Sequence, residues 1–296
     1  MKKSYVFYKL KQSIKLLKEV KNPLSSFLFY VGLKGSVTVK SKKVGSFDFD
    51  STQRDLCHSL LLLLPYLEET NYNKCRSFFS QCSAHKPVIE LDEYNVAYEE
   101  CGMFAEHFGD YPYNFKSISE NDVIIDIGSN VGDTALDFAS KGLIVYGFEP
   151  VKELHKISLK NAQLNPHLKD RINLFNYAVS NRRGKITIDA LDSTSQYMES
   201  GACYEIEAIT LEDILNKYSI SPKLLKMDCE GCEFDIIRNG DLSIFDEIIF
   251  EHHAGLRDDD YESLVKILKG QGFEVDLIPL WIFDMDDIGI IHAYKQ

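Results

Sequence analysis

The sequence predicts an α/β protein with a doubly wound, mostly parallel sheet, preceded by an N-terminal accessory region of mixed α and β structure. From about residue 120, short apolar runs alternate with stretches of helical periodicity, which is typical of strand–helix–strand units. The last two apolar runs are joined by a loop instead of a helix, so we expect an antiparallel edge. A chain of 296 residues suits one large domain or two ordinary ones. We place the boundary between residues 115 and 116.

Each element of residues 116–296 follows from a local signal. The strands are apolar runs, and the helices are bounded by Pro, Gly or a capping residue such as Thr210, which has Asp213 three positions later. We expect strands over residues 123–127, 144–148, 172–179, 224–228, 247–251, 273–278 and 288–294, and a half-exposed hairpin over 185–189 and 204–209. We expect helices over residues 133–141, 151–164, 211–218, 230–239 and 259–270.

The accessory region, residues 1–115, has weaker patterns. Apolar residues at three- and four-residue intervals predict a helix over 5–20, and Asn22-Pro23 ends it. We further expect a hairpin over 36–40 and 44–49 and a buried helix over 56–67. Residues 71–115 mix short signals and receive no assignment.

Charge is distributed unevenly along the chain. The formal net charge is -12. Residues 1–43 contain eleven lysines, no arginine and one acid, Glu19, which gives +10, so the remaining residues carry -22. This split excludes a uniformly basic protein that coats nucleic acid and a uniformly acidic disordered chain. Two interpretations of the basic segment stay open, a solvated lysine face on an accessory helix or a peripheral contact with an anionic membrane.

The seven cysteines are irregularly spaced, which excludes a disulfide scaffold and favours reduced thiols in a cytoplasmic protein. Cys229 and Cys232 have the spacing of a redox or zinc pair, but no second ligand pair accompanies them, so we interpret them as buried thiols with accidental spacing. The longest apolar runs, 27–33 and 60–64, are far shorter than the roughly 18 residues of a membrane span.

A glycine-containing turn follows the strand at 123–127 and precedes a helix. Parallel sheets bind ligands at the carboxyl ends of their strands, and a helix start offers free amides to the ligand. The strand ends in an acid, Asp126, which suits a cationic ligand such as S-adenosylmethionine better than a pyrophosphate. We therefore expect a cofactor site formed by Asp126, Gly128, Ser129, Asn130, Gly132 and Asp133.

Two further residues complete the predicted cofactor site. Glu149 ends the next strand, 23 residues after Asp126 (149 − 126). Folds that bind dinucleotides place an acid about 20 residues after the glycine turn, where it accepts hydrogen bonds from ribose hydroxyls. Ala178, near the end of the third strand, is expected to contact an adenine ring.

Acids and histidines end the fourth and fifth predicted strands. Carboxylates at adjacent strand ends can position a substrate hydroxyl or accept its proton, and histidine is a natural base because its usual pKa lies near 6.5. We expect catalytic roles for Asp228, Glu230, Glu251 and His252. Glu233 can instead complement the dipole of its helix. No spacing in this part of the sequence is specific enough to predict a metal site.

The motifs occur in a recognisable order: Asp-Ile-Gly-Ser-Asn-Val-Gly-Asp, Phe-Glu-Pro, Asn-Tyr-Ala-Val-Ser, Leu-Lys-Met-Asp-Cys-Glu-Gly-Cys-Glu and Ile-Ile-Phe-Glu-His-His. Over about residues 95–296 this chain resembles the FkbM-type family of S-adenosylmethionine-dependent methyltransferases. The resemblance implies a Rossmann-like class I methyltransferase sheet of seven strands, with the cofactor over residues 126–133 and Glu149. It also implies O-methylation of a sugar, a glycolipid or a related small molecule.

Two alternatives to an O-methyltransferase stay open. An RNA or protein N-methyltransferase would use the basic N-terminal segment to hold a polyanion, but the sheet half lacks a basic groove, so we expect no nucleic-acid partner. A non-catalytic module that kept the fold would not need the acids at positions 126, 149 and 228.

Overall fold

The computed structural model describes residues 17–65, 67–97, 104, 113–189, 203–229, 231–253, 261–279 and 288–296. The chain divides into two compact units, Met1–Tyr111 and Pro112–Gln296. This division lies four residues before the predicted boundary (115 − 111). Residues 112–115, including Tyr113, therefore belong to the same unit as the central sheet.

The first unit contains three described helices and two small hairpins. Helix α1 (Pro23–Tyr30) precedes strands β1 (Ser36–Lys40) and β2 (Ser46–Asp50), followed by helices α2 (Arg54–Leu63) and α3 (Tyr72–Ser83) and strands β3 (Val88–Glu90) and β4 (Asn95–Ala97). β1 and β2 pair antiparallel and bury alternate side chains, as the hairpin prediction requires. The predicted helix over 5–20 lies almost entirely outside the described residues.

The second unit is built on a seven-stranded sheet. Its parallel strands are β5 (Val123–Ile127), β6 (Ile144–Phe148), β7 (Ile172–Phe175), β11 (Leu224–Met227) and β12 (Glu247–His253), and the edge strands are β13 (Glu274–Pro279) and β14 (Ile288–Tyr294). The strand order is β13-β14-β12-β11-β5-β6-β7, and both β13 and β14 run antiparallel to their neighbours. This order confirms the predicted doubly wound sheet with an antiparallel edge.

Five helices in the described part of this unit connect the strands of the sheet. They are α4 (Asp133–Ser140), α5 (Lys152–Gln163), α6 (Leu211–Tyr218), α7 (Cys232–Asn239) and α8 (Tyr261–Gly270). Each agrees with a predicted helix to within two residues at either end. The Thr210 hydroxyl accepts a hydrogen bond from the Asp213 amide and so caps α6, as the sequence predicts.

The prediction of one strand over residues 172–179 is wrong. Strand β7 ends at Phe175, and Ala178–Val179 forms the short strand β8, which pairs parallel with β10 (Cys203–Ile209). The reason lies at Asn176, whose side-chain amide donates to the carbonyls of Glu149 and Pro150, both at 2.8 Å. β10 also pairs antiparallel with β9 (Gly184–Asp189), so the predicted hairpin is present in a small sheet of its own.

The core of the second unit lies around its central strands. Helices connect the parallel strands, and apolar side chains of β5, β11 and β12 are fully buried, as in other parallel sheets. Glu247, at the start of β12, is buried and charged, and so are two residues nearer the carboxyl ends of their strands, Asp126 on β5 and its neighbour Lys226 on β11. Buried charges are costly unless they are paired, so their position marks the part of the sheet where function is expected.

Candidate active site

Three neighbouring central strands deliver polar residues to one edge of the sheet. β11 pairs parallel with both β5 and β12, so the carboxyl ends of the three strands meet. The turn after β5 starts at Gly128, Asp228 follows β11 directly, and Glu251 lies near the end of β12. The turn after β5, Asp228 and Glu251 are therefore neighbours in space.

The turn after β5 approaches the end of β11 closely. Gly128 has φ +75°, and a Cβ at this position would overlap the carbonyl oxygen of Asp228. Only glycine meets both requirements. Gly132 precedes α4, and a Cβ there would lie 3.0 Å from the Cβ of Ser158 on α5. The turn is thereby fixed against the backbone of β11 on one side and against α5 on the other.

Asp126 is fully buried and makes its contacts within the protein. Its carboxylate accepts from the Thr134 hydroxyl at 2.6 Å and lies 3.1 Å from the Nζ of Lys226. Lys226 also donates to the Gly128 carbonyl at 2.9 Å. The carboxylate thus binds the turn to the sheet through a lysine, whereas the sequence analysis expected it to balance the charge of a cationic ligand.

Lys226 is a residue that sequence reasoning missed. Its signal is a lysine inside an otherwise apolar strand, Leu224–Met227. Burial alone would lower the pKa of its amine, but the carboxylates of Asp126, Asp228 and Asp133 outweigh this and raise that pKa above its usual value. Lys226 is therefore a permanent positive charge beneath the site.

Glu149 directly follows β6, beside the same turn. Its two carboxylate oxygens accept from the backbone amides of Asn130 at 2.9 Å and Val151 at 2.7 Å. Burial raises the pKa of this carboxyl to about 7, although the two amide bonds oppose the rise. The glutamate joins the turn after β5 to the start of α5, at the position predicted for ribose recognition.

Tyr113, which the sequence analysis did not identify, connects the ends of β11 and β12. Its hydroxyl lies 3.1 Å from Oδ2 of Asp228 and 3.1 Å from Oε2 of Glu251. The Nζ of Lys226 lies 5.1 Å from the centre of the buried Tyr113 ring. Tyr113 is 115 residues from Asp228 in sequence, and no local pattern indicates such a contact.

Two hydrogen bonds from backbone amides and a disulfide hold the segment between β11 and α7. The Glu233 carboxylate accepts from the amides of Cys229 at 2.7 Å and Gly231 at 2.8 Å, a more specific role than complementing the helix dipole. Cys229 and Cys232 form a disulfide, so their interpretation as accidental thiols is wrong. Glu230, predicted to be catalytic, lies outside the described residues.

His252 does not lie with the other predicted catalytic residues. Side chains alternate across a strand, and Glu251 contacts Tyr113 on one face of β12. The buried His252 ring lies 5.1 Å from Tyr261 and 6.3 Å from Phe234, which belong to helices α8 and α7. The structure thus brings together Asp228 and Glu251 and places His252 among aromatic side chains.

The remaining predicted residues are divided between the turn and the small sheet. Ser129 is buried, and its hydroxyl has no hydrogen-bond partner among the described residues. Asp133 opens α4 and is half-buried. Ala178 lies in β8, outside the central sheet, with Ala208 as its pairing partner. Within the described ranges, no group of three or more His, Cys, Asp or Glu residues could hold a metal ion.

Several solved structures are similar to this chain. A methyltransferase FkbM from Methylobacillus flagellatus is 16% identical, with a TM-score of 0.41, 81% of this chain covered and 59% of that chain. Magnesium protoporphyrin IX methyltransferase from Synechocystis, crystallised with bound SAM, is 13% identical with a TM-score of 0.37 and coverages of 60% and 71%. M. capricolum TrmK, in complex with S-adenosyl-homocysteine, is 14% identical with a TM-score of 0.39 and coverages of 61% and 65%.

A search of curated proteins found no match to this chain. The model of the methyltransferase FkbM domain matches residues 126–275, which is half of the chain and contains the glycine turn, Glu149, Asp228 and Glu251. The chain therefore belongs to the FkbM methyltransferase family.

Proposed function

We propose that this chain is an S-adenosylmethionine-dependent methyltransferase that methylates a hydroxyl group of a sugar, a glycolipid or a related small molecule. The observation that carries this proposal is the Tyr113 hydroxyl, held 3.1 Å from the carboxylates of both Asp228 and Glu251. Each carboxylate oxygen can accept more than one hydrogen bond. Two carboxylates that already hold the Tyr113 hydroxyl can therefore also bind the hydroxyl of a methyl acceptor.

The residues beside the glycine turn fit S-adenosylmethionine. Glu149 presents two carboxylate oxygens next to the turn, which suits the two hydroxyls of a ribose. The buried Ser129 hydroxyl, without a partner among the described residues, offers a further polar contact. The cofactor supplies a methyl group already activated by its sulfonium, so the protein's task is binding and orientation.

We assign the proposed cofactor contacts to the turn and to β6. They comprise Gly128, Ser129, Asn130, Gly132, Asp133 and Glu149, with Asp126 acting on the turn through Lys226. Ala178 stays a prediction, since it lies in the small sheet. Asp133 and Asp228 both contribute negative charge near Lys226, which favours a cationic ligand at this edge.

Asp228 is our candidate for the base. The Tyr113 phenol has one hydroxyl hydrogen, so it donates to either Asp228 or Glu251 at any one time. When Tyr113 donates to Glu251, Asp228 can accept the proton of the acceptor hydroxyl. The bound cofactor would supply the methyl group to that oxygen and would leave as S-adenosyl-homocysteine. Holding the oxygen in line with the methyl group supplies much of the catalysis in such a transfer. Glu251 then orients Tyr113 and the acceptor.

The charge of the described edge favours a neutral polyol as the acceptor. Asp228 and Glu251 would repel the phosphates of a nucleic acid, whereas hydroxyl groups can donate to both. No described contact favours the N-methylation alternative. Cytoplasmic location stays a prediction from the sequence.

The experiment that tests this function uses methyl-labelled S-adenosylmethionine and a cell extract. We expect label in a small-molecule, glycan or glycolipid fraction with the wild-type chain and about 100-fold to 10,000-fold less with Asp228→Asn. Label confined to RNA or protein would overturn the acceptor class. Cofactor that binds but is never consumed in any fraction would overturn the enzymatic function and support a binding module.

A further inference from the structure

Helix α1 and the turn that follows it expose an unusual amount of apolar surface. Leu24 and Leu33 are 70% and 77% exposed, and Tyr30 and Val31 are 39% and 43% exposed. The two leucines are the most exposed large apolar residues in the described part of the chain, where the next in order is Val31 itself. We call Leu24, Tyr30, Val31 and Leu33 the α1 tip.

The backbone of this turn is ordered by several hydrogen bonds. The Leu33 amide donates to the Leu28 carbonyl at 2.9 Å, and Gly32 has φ +82°, which is the Schellman ending of a helix. In that motif the apolar residue after the glycine usually packs back onto the helix. Leu33 instead points outward from a well-formed turn, so its exposure is built into the structure.

Hydrogen bonds from the side chains of Arg54 and Lys34 also stabilise this turn. The Arg54 guanidinium donates to the carbonyls of Phe29 and, at 3.0 Å, Lys34, and lies over the Phe29 ring. The Lys34 amine donates to the Ser25 hydroxyl at 2.8 Å. The buried Phe29 anchors α1 to its unit, while the α1 tip remains on the surface.

Lysines surround the α1 tip in sequence. Within residues 17–43, Lys18, Lys21, Lys34, Lys40 and Lys42 are exposed, and the half-buried Lys43 donates to the Leu64 carbonyl. The only acid in this stretch is Glu19, so its six lysines and one acid give +5. Exposed apolar residues among lysines, with little negative charge, are typical of a surface that binds anionic lipid.

We propose that the α1 tip docks on the surface of a membrane that contains anionic phospholipid. Leu24 and Leu33 would enter the boundary between headgroups and acyl chains, and the exposed lysines would lie near the lipid phosphates. Among the described residues, none of the helices has the length and hydropathy of a membrane span. A nucleic acid would use the lysines but leave the aliphatic side chains without a partner.

The proposal rests on the first unit alone and does not depend on the methyltransferase function. Its test is co-sedimentation of the full chain with vesicles of phosphatidylcholine, with and without phosphatidylserine. We expect binding to the phosphatidylserine vesicles that weakens with added salt, because salt screens exposed charges. Replacing one lysine, as in Lys21→Gln, should weaken binding about fivefold.

The apolar contribution is tested with Leu24→Ser/Leu33→Ser. Both side chains are exposed, so the variant should fold normally, and its vesicle binding should fall by about a hundredfold, or tenfold per leucine. Leu159→Ser/Leu277→Ser, which changes two exposed apolar residues of the second unit, is the matched control and should bind as the wild type does.

Three outcomes would overturn the proposal. The first is equal sedimentation with both kinds of vesicle and with all variants. The second is salt-sensitive binding to RNA together with no binding to vesicles, which would assign the lysines to a polyanion. The third is a dimer in light scattering that Leu24→Ser/Leu33→Ser converts to a monomer while no form of the chain binds vesicles, which would assign the α1 tip to a second copy.

Discussion

The carboxylates at the edge of the central sheet form two different environments. At the end of β5, Asp126 is fully buried and lies 3.1 Å from the Lys226 amine. At the ends of β11 and β12, Asp228 and Glu251 instead hold a neutral phenol, the hydroxyl of Tyr113. The comparison teaches that an acid at a strand end can neutralise a buried lysine that fixes a turn or can accept from a hydroxyl group, and that its partner decides which.

The largest effect is expected from removing the partner of Asp126. Lys226→Met leaves a carboxylate buried without its opposite charge, and such losses cost about 3–5 kcal/mol of unfolding free energy. Urea unfolding measures the change. Lys223→Met is the matched control, because Lys223 is 53% exposed in its pair with Asp122, and a pair with so solvated a lysine should be worth less than about 1 kcal/mol. Equal losses in the two variants would contradict the buried-pair interpretation.

The second prediction concerns Glu149 and pH. Burial raises its pKa to about 7 in the folded protein, so between its ordinary value near 4.5 and pH 7 the folded state holds a proton that the unfolded state has lost. The free energy of unfolding should therefore fall as pH rises through this window, by about 3 kcal/mol in all.

Glu149→Gln supplies the control for this pH dependence. Its amide does not titrate, so the variant should gain stability relative to the wild type from pH 4.5 to 7, with a constant difference above pH 7. Urea unfolding of both proteins across this range gives the comparison. Parallel curves for the two proteins would show that the carboxyl titrates normally.

A smaller effect is expected from the disulfide between Cys229 and Cys232. A disulfide that closes so short a loop contributes about 2 kcal/mol in the chain-entropy account. Reduction should lower the free energy of unfolding of the wild type by this amount and leave Cys229→Ser/Cys232→Ser unchanged. The buried thiols of Cys57 and Cys75 should not exchange with this disulfide or react with a thiol-modifying reagent, since burial raises the pKa of both thiols to about 12. If the reductant also lowered the free energy of unfolding of the double variant, the loss could not come from the Cys229–Cys232 disulfide.

The smallest expected effect is that of Tyr113→Phe. The ring still packs, but Asp228 and Glu251 lose their shared hydroxyl, so we expect kcat to fall about tenfold while cofactor affinity stays within about twofold. The change should alter the pH profile of kcat, which a purely structural role would not do. Tyr261→Phe, beside His252, is the control. An unaltered kcat and pH profile would remove Tyr113 from the acceptor site.

Much of the fold could be predicted from the sequence because the strands of the second unit are buried apolar runs of ordinary length. The prediction was wrong at residues 172–179, where the Asn176 side chain ends the strand through contacts that no local pattern encodes. At the site, Glu149 and Asp228 followed from their places at strand ends. Lys226 and Tyr113 did not, because a buried lysine carries no periodic signal and Tyr113 meets its partners only through the tertiary fold.

The most direct test of the central claim compares wild type with Asp228→Asn in two measurements, methyl transfer from labelled S-adenosylmethionine and calorimetric affinity for the same cofactor. We expect the substitution to reduce transfer to an acceptor hydroxyl by about 100-fold to 10,000-fold and to change cofactor affinity by less than about threefold. Undiminished transfer, or a loss of affinity as large as the loss of transfer, would contradict the assignment of Asp228 as the base.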